Sequence, residues 1–564
     1  MGNIMNLTKL RNNVSRNGFD LSRKNLFTAK VGEMIPACVM ECLPDDSIDI
    51  DTAWFTRTQP INTAAYTRMR EYYDFYFVPT NLLWNKFNTF VTQMTDNNQK
   101  AYGLNSNVSL SDEQPYFTTY QIGEYINRLR NADKKNFFGF HRSTLTCKLL
   151  HYLGYGDFSA YDVTGPAPTI GGNYKLNPFK LLAFQKVYQD FVRDSQWEKA
   201  YAPACNIDYM TGAKGTNNLP ISEIDINRET MFDMRYYNWN KDYFMGLLPN
   251  SQYGNVSSVT NITENSLRAT LNGSLPPVGD LSLSTDTYED GTKRAVSLND
   301  NVLDFGHLTH FTVLALRQAE ALQKWKEITQ STQQDYKSQM QAHWNADVSD
   351  AYSDRCKYLG GVSGNLDIQP VQNQNLTGDN DANIAGRGEG GNRGTIKFKA
   401  PVHGYLVCIY HAVPLLEYAI NGIKKDSLKT LVTDYAIPEF DATGMVSVSA
   451  IELQQRDTDR NYLLGYAPRY YDYKVAYDEV HGAFYNGGLD AWVAPIDSFY
   501  LTQYFARLSS GVALDYTFFK VPSSVLNPIF GVDVDSDVST DQLLVNCSFD
   551  IKAVRNLDRN GLPY

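Results

Sequence analysis

The sequence lacks the features that direct a chain into a membrane or out of a cell. Its first residues, MGNIMNLTKLRNN, have no apolar centre and do not form a signal peptide. No apolar run is long enough to span a membrane. The seven cysteines have no paired spacing, which indicates reduced thiols and excludes a recognisable zinc motif. We therefore expect a chain made inside a cell, with no disulfide framework.

Motifs of catalysis and metal binding are also scarce. The 564 residues include only eight histidines, and neither a G-x-S-x-G elbow nor a phosphate-binding GK[ST] motif occurs. His307 and His310 form H-x-x-H without a third ligand in motif position. The acidic stretches 45–51 and 533–537 favour solvated turns, with bound calcium as the alternative. The sequence thus predicts no catalytic residue, no metal site and no cofactor.

Positive charge is in deficit over the whole chain but not at its start. Lys and Arg number 51 against 62 Asp and Glu, a net charge of −11, which argues against general nucleic-acid binding. Residues 1–30 nevertheless carry several cations and a single acid, Asp20. We predict a basic, flexible N-terminal arm over 1–30, with a disordered terminus of incidental charge as the alternative. The cations are Lys9, Arg11, Arg16, Arg23, Lys24 and Lys30.

Aromatic residues are abundant, and one short run concentrates them. The chain has 38 Tyr, 28 Phe and 7 Trp, residue types that are favoured at interfaces. The stretch 69–79, MREYYDFYFVP, predicts a strand with two different faces. One face is expected in the core. The other is expected to contact loops or a neighbouring subunit, with simple core packing as the alternative. The core face carries Met69, Tyr73, Phe75 and Phe77, and the second face carries Arg70, Tyr72, Asp74 and Tyr76.

The remaining pattern predicts a mainly β protein with helices in its connections. Helices are expected after Pro79, after Asn177-Pro178 and over 308–344. Two polar stretches are interpreted as insertions: a surface insertion over 250–301, and a mobile Gly-rich loop over 360–394. Strand candidates dominate from residue 395 onward. Strands in distant groups indicate an antiparallel sandwich with long loops.

An ordered set of motifs resembles the major capsid proteins of the Microviridae, small icosahedral phages with circular single-stranded DNA. The chain is most similar to those of gokushoviruses and related phages of Bacteroidetes. The motifs span most of the chain in family order. They are Lys30-Val-Gly-Glu33, Phe55-Thr-Arg-Thr-Gln-Pro60, Asn62-Thr-Ala-Ala65, Arg70 to Pro79, Leu316-Arg-Gln-Ala319, Tyr358-Leu-Gly-Gly361 and Asn527-Pro-Ile-Phe530.

The resemblance implies a fold and an assembly. The expected fold is an eight-stranded antiparallel viral jelly roll over 31–564, with long helical and loop insertions. The expected function is that of a non-enzymatic subunit of a T=1 shell, made in the bacterial cytoplasm, with copies around fivefold, threefold and twofold axes. The stretch 250–301 is the candidate for the threefold protrusion, and 360–394 is its rival. A glycan-binding jelly roll or adhesin and a carbohydrate-active β-sandwich enzyme are the alternatives.

The resemblance also implies partners. They are the single-stranded DNA genome, a small basic DNA-binding protein, other virion proteins and a receptor on the host surface. Cations that face inward would neutralise phosphates. The candidate DNA-facing residues are Lys9, Arg11, Arg16, Arg23, Lys24, Arg555 and Arg559.

Overall fold

The structure is a computed structural model. It describes residues 15–92, 113–159, 173–213, 216–255, 313–372, 384–419, 421–454, 462–485, 488–496, 501, 504, 508 and 514–559. The chain divides into two compact units: residues 252–332, and the remainder, 1–251 with 333–564. The larger unit contains the β structure, and the described part of the smaller unit is mainly one helix.

The described residues form strands and helices in the following order. The strands are β1 Asn17–Asp20, β2 Arg23–Ala29, β3 Ile35–Cys42, β4 Ser47–Thr58, β5 Met69–Pro79, β6 Phe117–Thr118, β7 Lys175–Leu176, β8 Lys357–Gln372, β9 Ile384–Lys399, β10 Gly404–Pro414, β11 Glu417–Tyr418, β12 Met445–Ser449, β13 Leu463–Pro468, β14 Asp478–Glu479 and β15 Leu543–Arg555. The α-helices are α1 Phe87–Thr92, α2 Thr119–Asn131, α3 Arg142–Tyr152, α4 Phe179–Val187, α5 Val313–Ser331 and α6 Tyr336–Trp344.

One antiparallel sheet organises the larger unit. Its strand order is β1-β15-β4-β9-β8-β5-β10-β3, and β2 also pairs with β15. Because β1 and β2 occupy successive parts of the same edge, the nine strands fill eight positions across the sheet. Strands that are far apart in the sequence are neighbours in this order; for example, β15 pairs with β4. The prediction of a mainly β, antiparallel jelly-roll fold with insertions is confirmed.

The two edges of this sheet approach each other between β2 and β3. The Asn25 side-chain amide donates to the carbonyl oxygen of Ala37 at 2.7 Å, and Arg23 Nη2 donates to that of Val39 at 3.0 Å. Pro36 lies in β3, where an edge strand tolerates a residue without an N–H. Side chains, rather than a backbone ladder, therefore join the edges and curl the sheet toward a barrel.

Alternating side chains fill the interior of the curled sheet. Along β15, Leu543, Val545, Cys547, Phe549 and Ile551 are buried, and the residues between them are not. The same two-residue period holds along β4 from Ile48 to Thr58. In contrast, every residue of β10 is buried, because other parts of the chain cover both of its faces.

Helices α2, α3 and α4 contribute side chains to the same hydrophobic core as the sheet. At the start of α2, Thr118 and Gln121 form a capping box, in which each side chain accepts a hydrogen bond from the other residue's backbone N–H. α4 follows Pro178 as predicted and continues into a π-helical turn, Tyr188–Val192. The single helix predicted over 308–344 is instead two helices, α5 and α6, because the Asp335 side chain starts α6 by accepting from Ser338 N.

The prediction of a Gly-rich loop over 360–394 is wrong for its described parts. Residues 357–372 and 384–399 are β8 and β9, which pair with each other inside the sheet. Small residues are required there: a Cβ on Gly390 would lie 2.6 Å from Glu71 Oε2, and one on Gly364 would lie 3.1 Å from Trp54. The glycines mark strands beside large side chains, and not a loop.

Part of the predicted N-terminal arm is β structure. Residues 17–20 and 23–29 pair with β15, so this part of the predicted 1–30 arm belongs to the sheet. Lys9 and Arg11 lie outside the described residues, as do 256–301 of the predicted insertion.

Candidate assembly and nucleic-acid surfaces

The outward face of β5 packs largely against the same chain. The His411 ring is stacked between Tyr72 and Tyr237, with centroid distances of 4.8 and 3.4 Å. The Tyr76 ring lies 5.0 Å from Phe191 and 5.3 Å from Tyr358. On this face, Tyr72 and Tyr76 thus pack against other segments of the same chain.

The polar residues of that face differ in exposure. Asp74 Oδ1 accepts a hydrogen bond from Tyr358 OH at 3.0 Å and is largely buried. Arg70 is exposed, and its Nε donates to Asn365 Oδ1 at 3.4 Å. Of the four predicted residues, Arg70 is therefore the one that remains open to a neighbouring subunit.

Burial sets the charge state of the stack around His411. Desolvation lowers the pKa of His411 to about 3, so the ring is neutral near pH 7. Desolvation also raises the pKa of Asp74 to about 6, although the bond from Tyr358 opposes the shift. The closest approach between the two groups is 3.8 Å, from His411 Nδ1 to Asp74 Oδ2. The His411 ring is therefore uncharged near pH 7, which suits a packing role, whereas Asp74 with its pKa of about 6 is still mostly ionised there.

On the inward face of β5, Glu71 is a carboxylate within the core. It accepts hydrogen bonds from Tyr410 OH at 2.7 Å and from Trp54 Nε1 at 3.1 Å. Burial raises its pKa despite these bonds. Glu71 therefore links β5 to β10 and β4 through the interior.

Three of the predicted DNA-facing cations bind groups of the same chain. Arg16 pairs with the carboxylate of Asp45. Arg23 joins β2 to β3 as described above. Arg555 Nε lies 3.0 Å from Asp46 Oδ2, and its Nη2 donates to the carbonyl oxygen of Glu41 at 2.9 Å. These contacts hold the N-terminal and C-terminal strands to the turn between β3 and β4.

The other two described cations of that set are exposed. Lys24 points outward from β2, on the opposite side from Arg23. Arg559 lies beyond the end of β15. Other cations of the sheet pair with carboxylates, because Lys397 and Arg393 of β9 lie beside Asp49 and Asp51 of β4.

A buried cluster of four charges is a feature that the sequence did not reveal. Lys148 Nζ lies 2.6 Å from Glu33 Oε2 and 3.0 Å from Asp541 Oδ2. Lys30 Nζ lies 2.7 Å from Asp541 Oδ1. All four side chains are at most 1% exposed. The cluster joins the loop before β3, helix α3 and the segment before β15.

The electrostatics of this cluster favour the charged forms. For Lys148, desolvation acts to lower the pKa, but Glu33 and Asp541 outweigh it and raise the pKa. For Asp541, desolvation acts to raise the pKa, but Lys148 and Lys30 outweigh it and lower the pKa. The available signal was the motif Lys30-Val-Gly-Glu33, which contributes two of the four groups.

A pocket of about 860 Å³ lies between α3 and the 534–538 loop. Its lining includes His141, Cys147 and Asp537. These side chains have local partners: His141 Nδ1 lies 3.2 Å from Asp133, and the Cys147 thiol donates to the carbonyl oxygen of Phe158 at 3.5 Å. Asp537 accepts from Ser539 N at 3.0 Å, as a turn residue does.

The described part of the chain shows neither a metal-binding cluster nor a membrane-spanning helix. None of its groups of His, Cys, Asp and Glu could hold a metal ion. None of its helices is both long and apolar enough to cross a membrane.

A curled antiparallel sheet with long insertions between its strands is the jelly-roll architecture of viral capsid subunits. The chain matches the model of the phage family described as capsid protein (F protein) over residues 8–123 and 149–563, and it belongs to that family. It is a major capsid protein of the Microviridae, which confirms the resemblance noted in the sequence. It is accordingly a structural protein of the virion and not an enzyme, and it associates with itself to form a shell.

Two curated relatives extend over nearly the same length. The capsid protein VP1 of Bdellovibrio phage phiMH2K is 24% identical over 586 aligned residues, which cover 97% of this chain and 95% of the relative. The capsid protein VP1 of Chlamydia phage 1 is 22% identical over 573, which cover 88% of each chain. Both alignments therefore extend over most of this chain and of each relative.

Proposed function

We propose that this protein assembles into a T=1 icosahedral shell that encloses a circular single-stranded DNA genome. The observation that carries the proposal is membership of the capsid family over almost the whole chain. One subunit would occupy each asymmetric unit, with identical copies around the fivefold, threefold and twofold axes. Closed symmetry lets contacts of moderate strength add up over many subunits.

Electron microscopy tests the shell directly. The chain is expressed alone, and particles are also collected from cells that produce the phage. Uniform small icosahedral particles of 60 subunits are expected, as T=1 geometry requires. Monomers in both samples, or particles of a larger triangulation number, would overturn the proposal. Particles in the second sample alone would support a shell that requires other virion proteins, including a small basic DNA-binding protein.

The interior contacts with DNA are proposed for cations without a structural role in the sheet. Lys24 and Arg559 are exposed in the structure, whereas Arg16, Arg23 and Arg555 already bind groups of their own chain. Lys9 and Arg11 complete the proposed set from the sequence. Neutralising phosphates with these side chains would favour genome retention in a shell whose subunits are acidic overall.

The DNA content of purified particles measures this contribution. Lys9, Arg11 and Lys24 are replaced together by Gln, and nuclease-protected circular single-stranded DNA is quantified per subunit. A reduced content is expected, with a weaker dependence on salt than in the parent, because fewer counterions are released when fewer phosphates are neutralised. The control replaces Lys175, an exposed lysine paired with Glu113, by Gln. Equal DNA content in both variants would refute the assignment.

Contact with the host surface is proposed for the exposed loops, with 250–301 as the candidate threefold protrusion. In support, residues 252–332 form a compact unit of their own rather than part of the sheet unit. Particles whose 256–301 segment is replaced by a short Gly-Ser linker should assemble but fail to bind host cells. Normal binding would refute this role.

A further inference from the structure

A long surface segment, residues 421–447, contains no buried residue. It runs from Asn421 to Ser447 through a series of 3-10 turns and ends in β12. Every residue in it is exposed or half-buried. A segment of this length without an anchor in the core receives little hydrophobic stabilisation within a single subunit.

The composition of the 421–447 segment is nevertheless apolar along its exposed side. Val432 is 80% exposed, Leu431 63%, Tyr435 56% and Phe440 41%. These four residues lie within ten positions of one another, so the exposed apolar side chains are concentrated in one short stretch of the chain. Continuous apolar patches on soluble proteins generally mark contact surfaces.

Each lysine of the segment pairs with a carboxylate of the same chain. Lys424 Nζ lies 2.7 Å from Glu479, Lys425 Nζ lies 3.7 Å from Glu452, and Lys429 pairs with Asp472. Each pairing carboxylate lies outside the segment, so these bonds fasten it to the rest of the subunit. No lysine of the segment is therefore left for a phosphate, which argues against nucleic acid as the occupant.

Two acidic groups of the segment also have partners in the same chain. Asp434 Oδ2 accepts from the backbone N–H groups of Thr430 and Leu431 at 2.9 and 2.8 Å. Asp441 Oδ1 accepts from Lys474 Nζ at 2.6 Å. Over the whole 421–447 segment the three lysines stand against four acidic residues, a net charge of −1, so the segment as a whole is nearly neutral.

The capsid family and the distribution of charge together indicate the occupant. The subunit carries a net charge of −11, so two copies repel each other over most of their surfaces. Copies of a self-associating protein must therefore meet where charge is low and apolar area is high. We propose that the 421–447 segment is a subunit–subunit contact, covered by a second copy of this chain. This inference rests on the proposed shell assembly.

Hydrogen exchange gives the first test. Amide exchange of peptides within 421–447 is compared between purified particles and dissociated subunits of the full chain. At least tenfold slower exchange is expected in the particle, because the contact excludes water. Unchanged exchange would overturn the inference. Failure of the chain to form particles from any source would instead overturn the proposed shell, so the two failures are distinguishable.

Substitution and cross-linking identify the partner. Val432→Asp should leave the denaturant midpoint of the free subunit unchanged and lower the yield of sedimenting particles at least tenfold. Tyr352→Asp, at an equally exposed position (81%), is the matched control and should assemble normally. Parent-like yield from Val432→Asp would contradict the contact. A photoreactive residue at 432 should cross-link two copies of this chain, and a product with any other virion protein would contradict it too.

Discussion

Lys148 Nζ lies 2.6 Å from Glu33 Oε2, and neither side chain is more than 1% exposed. Helix α3 carries the lysine, and the loop before β3 carries the glutamate. Asp541 and Lys30 complete the cluster, so it joins three parts of the chain that are far apart in sequence. Its charges are balanced two against two, and the removal of any one leaves a buried charge without its partner.

We therefore expect Lys148→Met to destabilise the subunit by about 3–5 kcal/mol, because Glu33 and Asp541 lose their shared cation. Chemical denaturation of dissociated subunits measures the change. The control is Lys175→Met, which removes an exposed pair with Glu113 and should change the unfolding free energy far less. Similar losses in the two variants would mean that the buried cluster adds nothing beyond a surface pair.

Gly32→Ala should be more harmful than a glycine replacement elsewhere. Gly32 has φ +79°, and a Cβ there would lie 2.6 Å from the carbonyl oxygen of Val521. Gly139→Ala is the matched control, because Gly139 has φ +87° but open space around its Cβ position. The backbone conformation alone costs about 1–2 kcal/mol, and the collision at Gly32 should add about 1–3 kcal/mol. Equal unfolding free energies for both variants would argue against the collision.

Replacing His411 should change how stability depends on pH. The pKa of His411 falls from 6.5 in the unfolded chain to about 3 in the folded protein. The unfolded state therefore binds the extra proton between these values, and stability falls as pH drops below about 6.5. His411→Phe keeps a ring between Tyr72 and Tyr237 but removes this titration. Between pH 7 and 5 the parent should lose about 2 kcal/mol more than the variant.

The neighbouring carboxylate acts in the opposite direction. The pKa of Asp74 rises from 3.8 to about 6 on folding, so its contribution is present at low pH and is lost as pH rises through about 6. Both proteins retain Asp74, and a comparison of the two largely cancels this effect. His481→Phe is the control, because His481 is exposed. Identical pH profiles for the parent and His411→Phe would refute the prediction.

At the junction between the two sheet edges, replacing Asn25 should lower stability more than replacing its neighbour Lys24. Asn25→Ala removes the amide that donates to Ala37 and should destabilise the subunit by about 1 kcal/mol. Lys24→Ala changes an exposed side chain and should stay within about 0.5 kcal/mol of the parent. Urea denaturation of both variants measures the contrast. A loss from Lys24→Ala as large as that from Asn25→Ala would show that the edge contact is unimportant.

Periodicity in the sequence was sufficient where each strand has one buried face. Residues 69–79 form β5, and Met69, Tyr73, Phe75 and Phe77 are buried as predicted. Alternation works here because a strand places successive side chains on opposite sides of the sheet. The second face was harder to assign, since Tyr72 and Tyr76 pack against His411 and Phe191 from other parts of the chain.

The glycine-rich stretch was predicted to be a loop, but tertiary contacts make its described parts strands. The glycines within 386–394 suggest a loop when only the local sequence is considered. In the sheet, Gly390 lies beneath Glu71, which comes from a strand far away in the sequence. Only the paired strand shows that the missing side chain makes room for a large one.

The sequence by itself determined the class of fold, the family, and the faces of the amphipathic strands, because composition, motif order and side-chain alternation are local properties. The tertiary structure decided which charges meet. Glu33 and Lys148 are separated by 115 positions, and Lys148 and Asp541 by 393. It also decided that Arg16, Arg23 and Arg555 bind their own chain, and that residues 421–447 lie outside the core. Pairing and burial depend on which distant segments become neighbours in the fold, and a local sequence pattern does not specify those neighbours.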